Sequence, residues 1–178
     1  MSSLELRSVG RVAAILAVTL GLTACFRPLY GPTASGENLA ATLSAIDVEE
    51  VAVPPNGERF AHYLRSELVY ELNGSGIPAP KRYKLALSFG SSLSTPIVDT
   101  ATGRAQSATI NGTVTYSLKN LDGTQTITGG KATGSASYDR FIQRFASVRA
   151  ARDAEIRLAR VLAEQIRTRL QAALVTRS

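Results

Sequence analysis

Few residues in this 178-residue chain are of a type that does chemistry. It holds one cysteine, Cys25, and one histidine, His62. A lone thiol forms no intramolecular disulfide and no multi-cysteine zinc site. A catalytic thiolate needs a base to activate it, and no motif links Cys25 to His62. One imidazole, with no Cys, His or Asp at ligand spacing, makes no transition-metal site of known type, so no metal is expected. Glu49-Glu50 is a carboxylate pair, but neighbours on a strand point to opposite faces and cannot readily share one substrate. Gly74-Ser75-Gly76 and Gly129-Gly130 do not open a helix in a βαβ unit, so neither reads as a nucleotide loop. No Ser-His-Asp set assembles. The expectation is a protein that is not an enzyme and carries no cofactor.

Cys25 gains a meaning from what precedes it. Arg7 and Arg11, opposed by Glu5, make a weakly basic start, and Val12 to Leu22 is an apolar run of 11 residues. A bilayer-spanning helix needs about 20 residues, so this run fits the middle of a secretory signal instead. It ends in Leu22-Thr23-Ala24-Cys25, which is similar to the bacterial lipobox. That similarity implies cleavage before Cys25, a diacylglycerol on its sulfur and an acyl chain on its new amine. Each buried methylene contributes about 0.8 kcal/mol, and stable anchoring takes more than one chain, which a triacylated cysteine supplies. We therefore expect a lipoprotein signal peptide at 1–24, a lipidated N-terminus and tether at 25–44, and a single α+β domain at 45–178. Without further cysteines, stability in an oxidising compartment must come from packing.

The elements follow from period and punctuation. Ile46 to Val53 reads as a strand, with Glu49-Glu50 shifting its phase as a bulge would. Gly57 to Leu72 reads as a helix with Phe60, Leu64, Leu68 and Leu72 on one face. Tyr83 to Leu93 alternates as a half-buried strand. Gln106 to Leu121 alternates too, with Ala108, Ile110, Gly112, Val114, Tyr116 and Leu118 inward and Thr109 to Lys119 outward. Asp122-Gly123 signals a type I′ hairpin into a Thr-, Gly- and Ser-rich strand at about 124–138. Arg140 to Leu174 reads as one long helix, whose apolar stripe runs from Phe141, Phe145 and Val148 through Leu162 to Ala173. The order βαβββα, with two helices over one sheet face, predicts a two-layer α+β sandwich on a four-stranded mixed sheet. The first two strands should be parallel, joined by a right-handed crossover.

Charge concentrates at one end. Residues 140–178 carry nine arginines against Asp153, Glu155 and Glu164. Arg149, Arg157, Arg160 and Arg167 fall along one flank of the predicted helix. This is either a solvated face with carboxylate pairs or a surface for phosphates or an acidic partner. Arg152 falls near the middle of the apolar stripe, where its stem would snorkel or its charge would pair. An exported protein meets little nucleic acid, so none is expected as a partner.

Taken in order, "CFRPLYG", "RFAHYLRSELVYELN", "RYKLALSFGSSL", "ATGRAQSATINGTVTYSLKNLDGTQTITGGKATGSASYD" and "FASVRAARDAEIRLARVLAEQIRTRL" resemble the lipopolysaccharide-assembly lipoprotein family LptE, in its alphaproteobacterial form. The resemblance covers most of the chain after Cys25. It implies two helices on a four-stranded sheet and a partnership with the LptD-like β-barrel as its plug. It also implies contact with lipopolysaccharide, and a lipid-anchored place on the periplasmic side of the outer membrane. It offers no catalytic residues. Arg104, Lys119 and Lys131 flank loops at the sheet margin that a phosphorylated head group would reach, and are the candidate lipopolysaccharide-binding residues. Phe26 stands where an inner-membrane retention signal would have Asp, which favours the outer membrane. The alternative is a periplasmic auxiliary lipoprotein of an ABC-type lipid transporter.

Overall fold

In the computed structural model, residues 38–176 are described, apart from 56, 75, 77, 78, 96, 97 and 99–101. The expected signal peptide, the lipobox-like stretch and the first part of the expected tether lie outside them. The chain divides at Gly31/Pro32, and the elements below all belong to the second unit.

The last stretch of the expected tether is helical. Asn38 caps α1 (Leu39–Ser44), its side chain accepting from the Ala40 N–H at 2.9 Å, so an orphan donor of the first turn is satisfied. Leu39 and Leu43 are buried in the common core. This short amphipathic turn escapes a reading based on the Pro and Gly residues just before it.

β1 (Ile46–Ala52) leads through a short turn into α2 (Glu58–Leu72). The β1 register shifts between Val48 and Val51, which places the bulge at Glu49-Glu50. The extra residue restores Val51 to the inward phase that Ile46 and Val48 begin. Phe60, Leu64, Leu68 and Leu72 are the four buried residues of α2, one per turn. Phe60 stacks on Phe89 of the next strand, ring centroids 3.8 Å apart.

β2 (Tyr83–Ser94), β3 (Ser107–Asn120) and β4 (Thr126–Asp139) complete a sheet in the order β1-β2-β3-β4. β1 and β2 are parallel; the other pairs are antiparallel. The β3–β4 hairpin is wider than the type I′ turn expected from Asp122-Gly123. The Asn120 N–H already bonds the Gln125 carbonyl at 3.0 Å, so four residues form the loop. Gly123 takes the left-handed conformation the loop requires, with φ 74°, and Asp122 accepts from the Thr124 N–H at 3.0 Å and its hydroxyl at 2.9 Å. Gly129-Gly130 lies inside β4. A Cβ on Gly130 would stand 3.0 Å from the Tyr116 hydroxyl, so the glycine makes room for that inward ring.

α3 (Arg144–Thr176) packs on the same sheet face as α2. Its core line runs Ala154, Leu158, Leu162, Ile166 and Leu170, all fully buried. It sits close to the sheet because Gly112 and Gly134 lie beneath it: a Cβ at either would come within 3.0 to 3.1 Å of a Leu158 methyl. The result is the two-layer α+β sandwich that the sequence predicts, with α1 added at one margin.

The first turns of the long helix depart from expectation. The helix begins at Arg144 and not at Arg140, so Phe141 lies in the turn before it; Phe141, Phe145 and Val148 are 51%, 75% and 50% exposed and are not part of the core stripe. The hydrogen bonds linking α3 to β4 explain this. Arg157 meets the Ser137 carbonyl, and each helical residue advances about 1.5 Å. Arg144 therefore lies about 20 Å back along the axis, past the end of β4 at Asp139, with no sheet beneath it.

Candidate functional site

Two surfaces outside the helical layer present polar and charged side chains. The first is the outer face of the sheet. Strand alternation sends Thr109, Asn111, Thr113 and Thr115 of β3 outward, because Ala108, Val114, Tyr116 and Leu118 fill the core. The register sets Ser94, Ser92, Gly90 and Ser88 of β2 beside them on one side. Ser137, Ser135, Thr133 and Lys131 of β4 lie on the other. Thr109 and Ser137 exchange a hydroxyl hydrogen bond at 2.8 Å. Since α2 and α3 pack on the opposite face, this hydroxyl-rich surface is left open by its own helices.

The second surface is the overhanging end of α3. Ser147 folds the chain there: its hydroxyl accepts from the Phe141 N–H at 2.8 Å and donates to the Phe141 carbonyl at 2.9 Å. The Arg140 N–H bonds the Gln106 carbonyl at 2.8 Å, which ties this turn to the β2–β3 loop. Between them lies a cleft of about 540 Å³, lined by Arg104, Arg140, Arg144, Phe141 and Ile142 among others. Ile142 is 81% exposed beside it, and the Arg149 guanidinium lies 5.9 Å from the Phe145 ring centroid. Among the described residues, no carboxylate lies within ion-pair distance of Arg104, Arg140 or Arg144. Arginines bind phosphate through two parallel N–H bonds, and the neighbouring apolar side chains suit an acyl or other apolar moiety. Such a surface can receive an amphiphilic anion.

The structure separates the three candidate residues named from sequence. Arg104 lines the cleft. Lys119 is at the far end of β3, opposite Lys84. Lys131 faces outward on β4 beside Thr115. A strand advances about 3.4 Å per residue, so Arg104 and Lys119 stand about 40 Å or more apart along the sheet. Lys119 and Lys131 share the outer face; Arg104 belongs with Arg140 and Arg144, which sequence reasoning passed over. A signal for that end was present. Arg152, set on the apolar stripe, is exposed, and the first buried residue of α3 is Ala154. The charge marks where the helix leaves the core.

Of the four arginines read as one flank, three divide between two sides. Arg167 and Arg160 reach α2, at 2.7 Å from Glu71 and 3.8 Å from Glu67. On the other side, Arg157 pairs with Asp153 at 2.8 Å and donates to the Ser137 carbonyl at 2.9 Å. Among the described residues, the two groups with displaced pKa values, Arg59 and Asp122, do not line the cleft. A hydrogen bond to Glu155 raises that of Arg59, and those from Thr124, first from its N–H, lower that of Asp122. No group of three His, Cys, Asp or Glu among the described residues is placed to hold a metal. No described helix is long and apolar enough to cross a membrane.

The architecture is an α+β sandwich with one helical layer, one open hydroxyl-rich sheet face and an arginine-lined end. Residues 45–170 match the family model LptE, described as Lipopolysaccharide-assembly, and the chain belongs to that family of lipoproteins. Among solved structures, a chain from Caulobacter crescentus CB15 described as a lipoprotein shares the fold. It has TM-score 0.60 and 24% identity, and the match covers 78% of this chain and 97% of that one. A minor lipoprotein from Acinetobacter baumannii is 14% identical with TM-score 0.44, over 70% and 93% of the two chains. The rare lipoprotein B from Shewanella oneidensis is 13% identical with TM-score 0.44, over 71% and 98%. No curated protein matches this chain.

Proposed function

We propose that this protein is a lipid-anchored subunit of the outer membrane, held there through Cys25. In this reading it pairs with an LptD-like β-barrel as its plug and contacts lipopolysaccharide during assembly at the cell surface. The observation that carries the reading is the open sheet face. Its outward positions are dominated by Ser and Thr, with Lys119 and Lys131 among them. The lumen of a large membrane barrel is polar, and a hydroxyl-rich face hydrogen-bonds to such a wall. An apolar face would instead suit a lipid or a second sheet layer. Membership of the lipopolysaccharide-assembly family supports the same role. The arginine-lined end supports contact with a phosphorylated lipid, which assigns Arg104 together with Arg140 and Arg144 to that task. Nothing in this role requires bond chemistry.

Affinity purification of the tagged full chain from outer-membrane extracts tests the partnership. A large β-barrel protein is expected to co-purify in stoichiometric amount; an ATPase–permease complex in its place would contradict it. For the lipid, the Arg104→Glu/Arg140→Glu/Arg144→Glu variant should lose at least about tenfold in lipopolysaccharide capture, a change worth about 1.4 kcal/mol. Undiminished capture would remove the assignment of this end.

A further inference from the structure

β4 is an edge strand of 14 residues. A long edge presents a row of backbone donors and acceptors that templates pairing with another chain. Three side chains of α3 reach around this edge. Arg157 donates to the Ser137 carbonyl at 2.9 Å, Gln165 to the Thr133 carbonyl at 3.1 Å, and Arg169 to the Lys131 carbonyl. The spacing is matched: eight helical residues advance about 12 Å against about 14 Å for four strand residues, and four against two give about 6 and 7 Å. The donors therefore stay in step with the outward carbonyls of an antiparallel strand. In an antiparallel ladder the N–H and C=O of one residue point the same way, so Lys131, Thr133, Ser135 and Ser137 also present their N–H groups outward. No acceptor for these N–H groups exists among the described residues.

We propose that the β4 edge is a strand-pairing surface closed by Arg157, Gln165 and Arg169, and that the partner it fits is β4 of a second copy. The sequence around Gly134, "KATGSAS", is nearly symmetric. Antiparallel pairing centred on Gly134 sets Thr133 opposite Ser135 and Lys131 opposite Ser137 as hydrogen-bonded pairs, and Ala132 opposite Ala136 between them. No like charges meet and each side chain but Lys131 is small, so nothing on the strand itself forbids the pairing. The helices also allow it. α3 touches both Gly112 of β3 and Gly134 of β4, so its axis lies over the gap between these strands. With strands about 4.8 Å apart, two copies joined at β4 would hold their α3 axes about 10 Å apart, a packing distance helices adopt. What keeps the chain a monomer is the occupation of the carbonyls by the three arms.

The test is the mass of the full chain in detergent, measured by sedimentation. The wild type should be a monomer. Arg157→Ala/Gln165→Ala/Arg169→Ala should shift to a dimer at the same concentration. Thr133→Cys/Ser135→Cys, introduced with those changes in a Cys25→Ala background, should then form an intermolecular disulfide. In the triple-alanine variant without the cysteines, Ser135→Pro, which removes one outward N–H, should restore the monomer. A second version, Arg157→Met/Gln165→Met/Arg169→Met, keeps the apolar stems over the edge and should dimerise too; it serves if the alanine variant does not fold. A folded variant that stays monomeric, a dimer without the 133–135 crosslink, or a wild-type dimer would each overturn the proposal.

Discussion

Asp122 shows how much one residue can organise locally. Its carboxylate gathers the N–H and hydroxyl of Thr124, while Gly123 supplies the left-handed turn. The hydrogen bonds favour the charged form, so the folded pKa falls below the unfolded value of about 3.9. A lowered carboxylate pKa contributes stability above the unfolded value and loses it as pH falls through the folded one. We expect amide exchange at Thr124, corrected for intrinsic rate, to show falling protection only as pH drops below about 4. Asp122→Ala should abolish that step while leaving exchange in β1 unchanged. Gly112 is the opposite case, a residue needed for what it lacks. Gly112→Ala places a Cβ 3.0 Å from Leu158 and Phe89. Overpacking of this kind costs about 1–3 kcal/mol, and chemical denaturation should read a loss in that range.

At the scale of elements, the two ends of α3 behave as different materials. Leu158→Ala removes a fully buried side chain at the sheet contact and should cost about 2–5 kcal/mol. Ile142→Ser and Phe145→Ser, on the overhang, should leave stability within about 0.5 kcal/mol of the wild type, yet weaken lipopolysaccharide capture. Denaturation and lipid capture on the same three variants separate the roles. The elements themselves were legible because burial here follows strict periods: every fourth residue in α2, every second in β3. The β1 bulge was legible from the two adjacent glutamates. The overhang was not, because helical period tells which side chains share a face and not where the neighbouring sheet ends. Phe145 and Val148 continue the stripe in angle but have no strand beneath them, and Phe141 precedes the helix. The grouping of Arg104 with Arg140 and Arg144 was hidden for a related reason. It depends on the Arg140–Gln106 backbone bond joining two loops distant in sequence.

Across the described residues, polarity is sorted by surface. Between the helices, Arg59 and Arg167 bind Glu155 and Glu71 at 2.6 and 2.7 Å. Pairs this exposed contribute about 0.2–1 kcal/mol each, so they align the helical layer more than they stabilise it. The core holds the sandwich together, the sheet presents hydroxyls, and the overhanging end presents arginines beside aromatic rings. Such a division suits the assembly role proposed above. The most direct test places a photo-crosslinking residue at Thr113, in the middle of the open sheet face, in living cells. The expected product is a single adduct with a large outer-membrane β-barrel, formed only when Cys25 is intact. An adduct with an inner-membrane permease, or none in cells whose surface lipopolysaccharide is normal, would contradict the plug assignment.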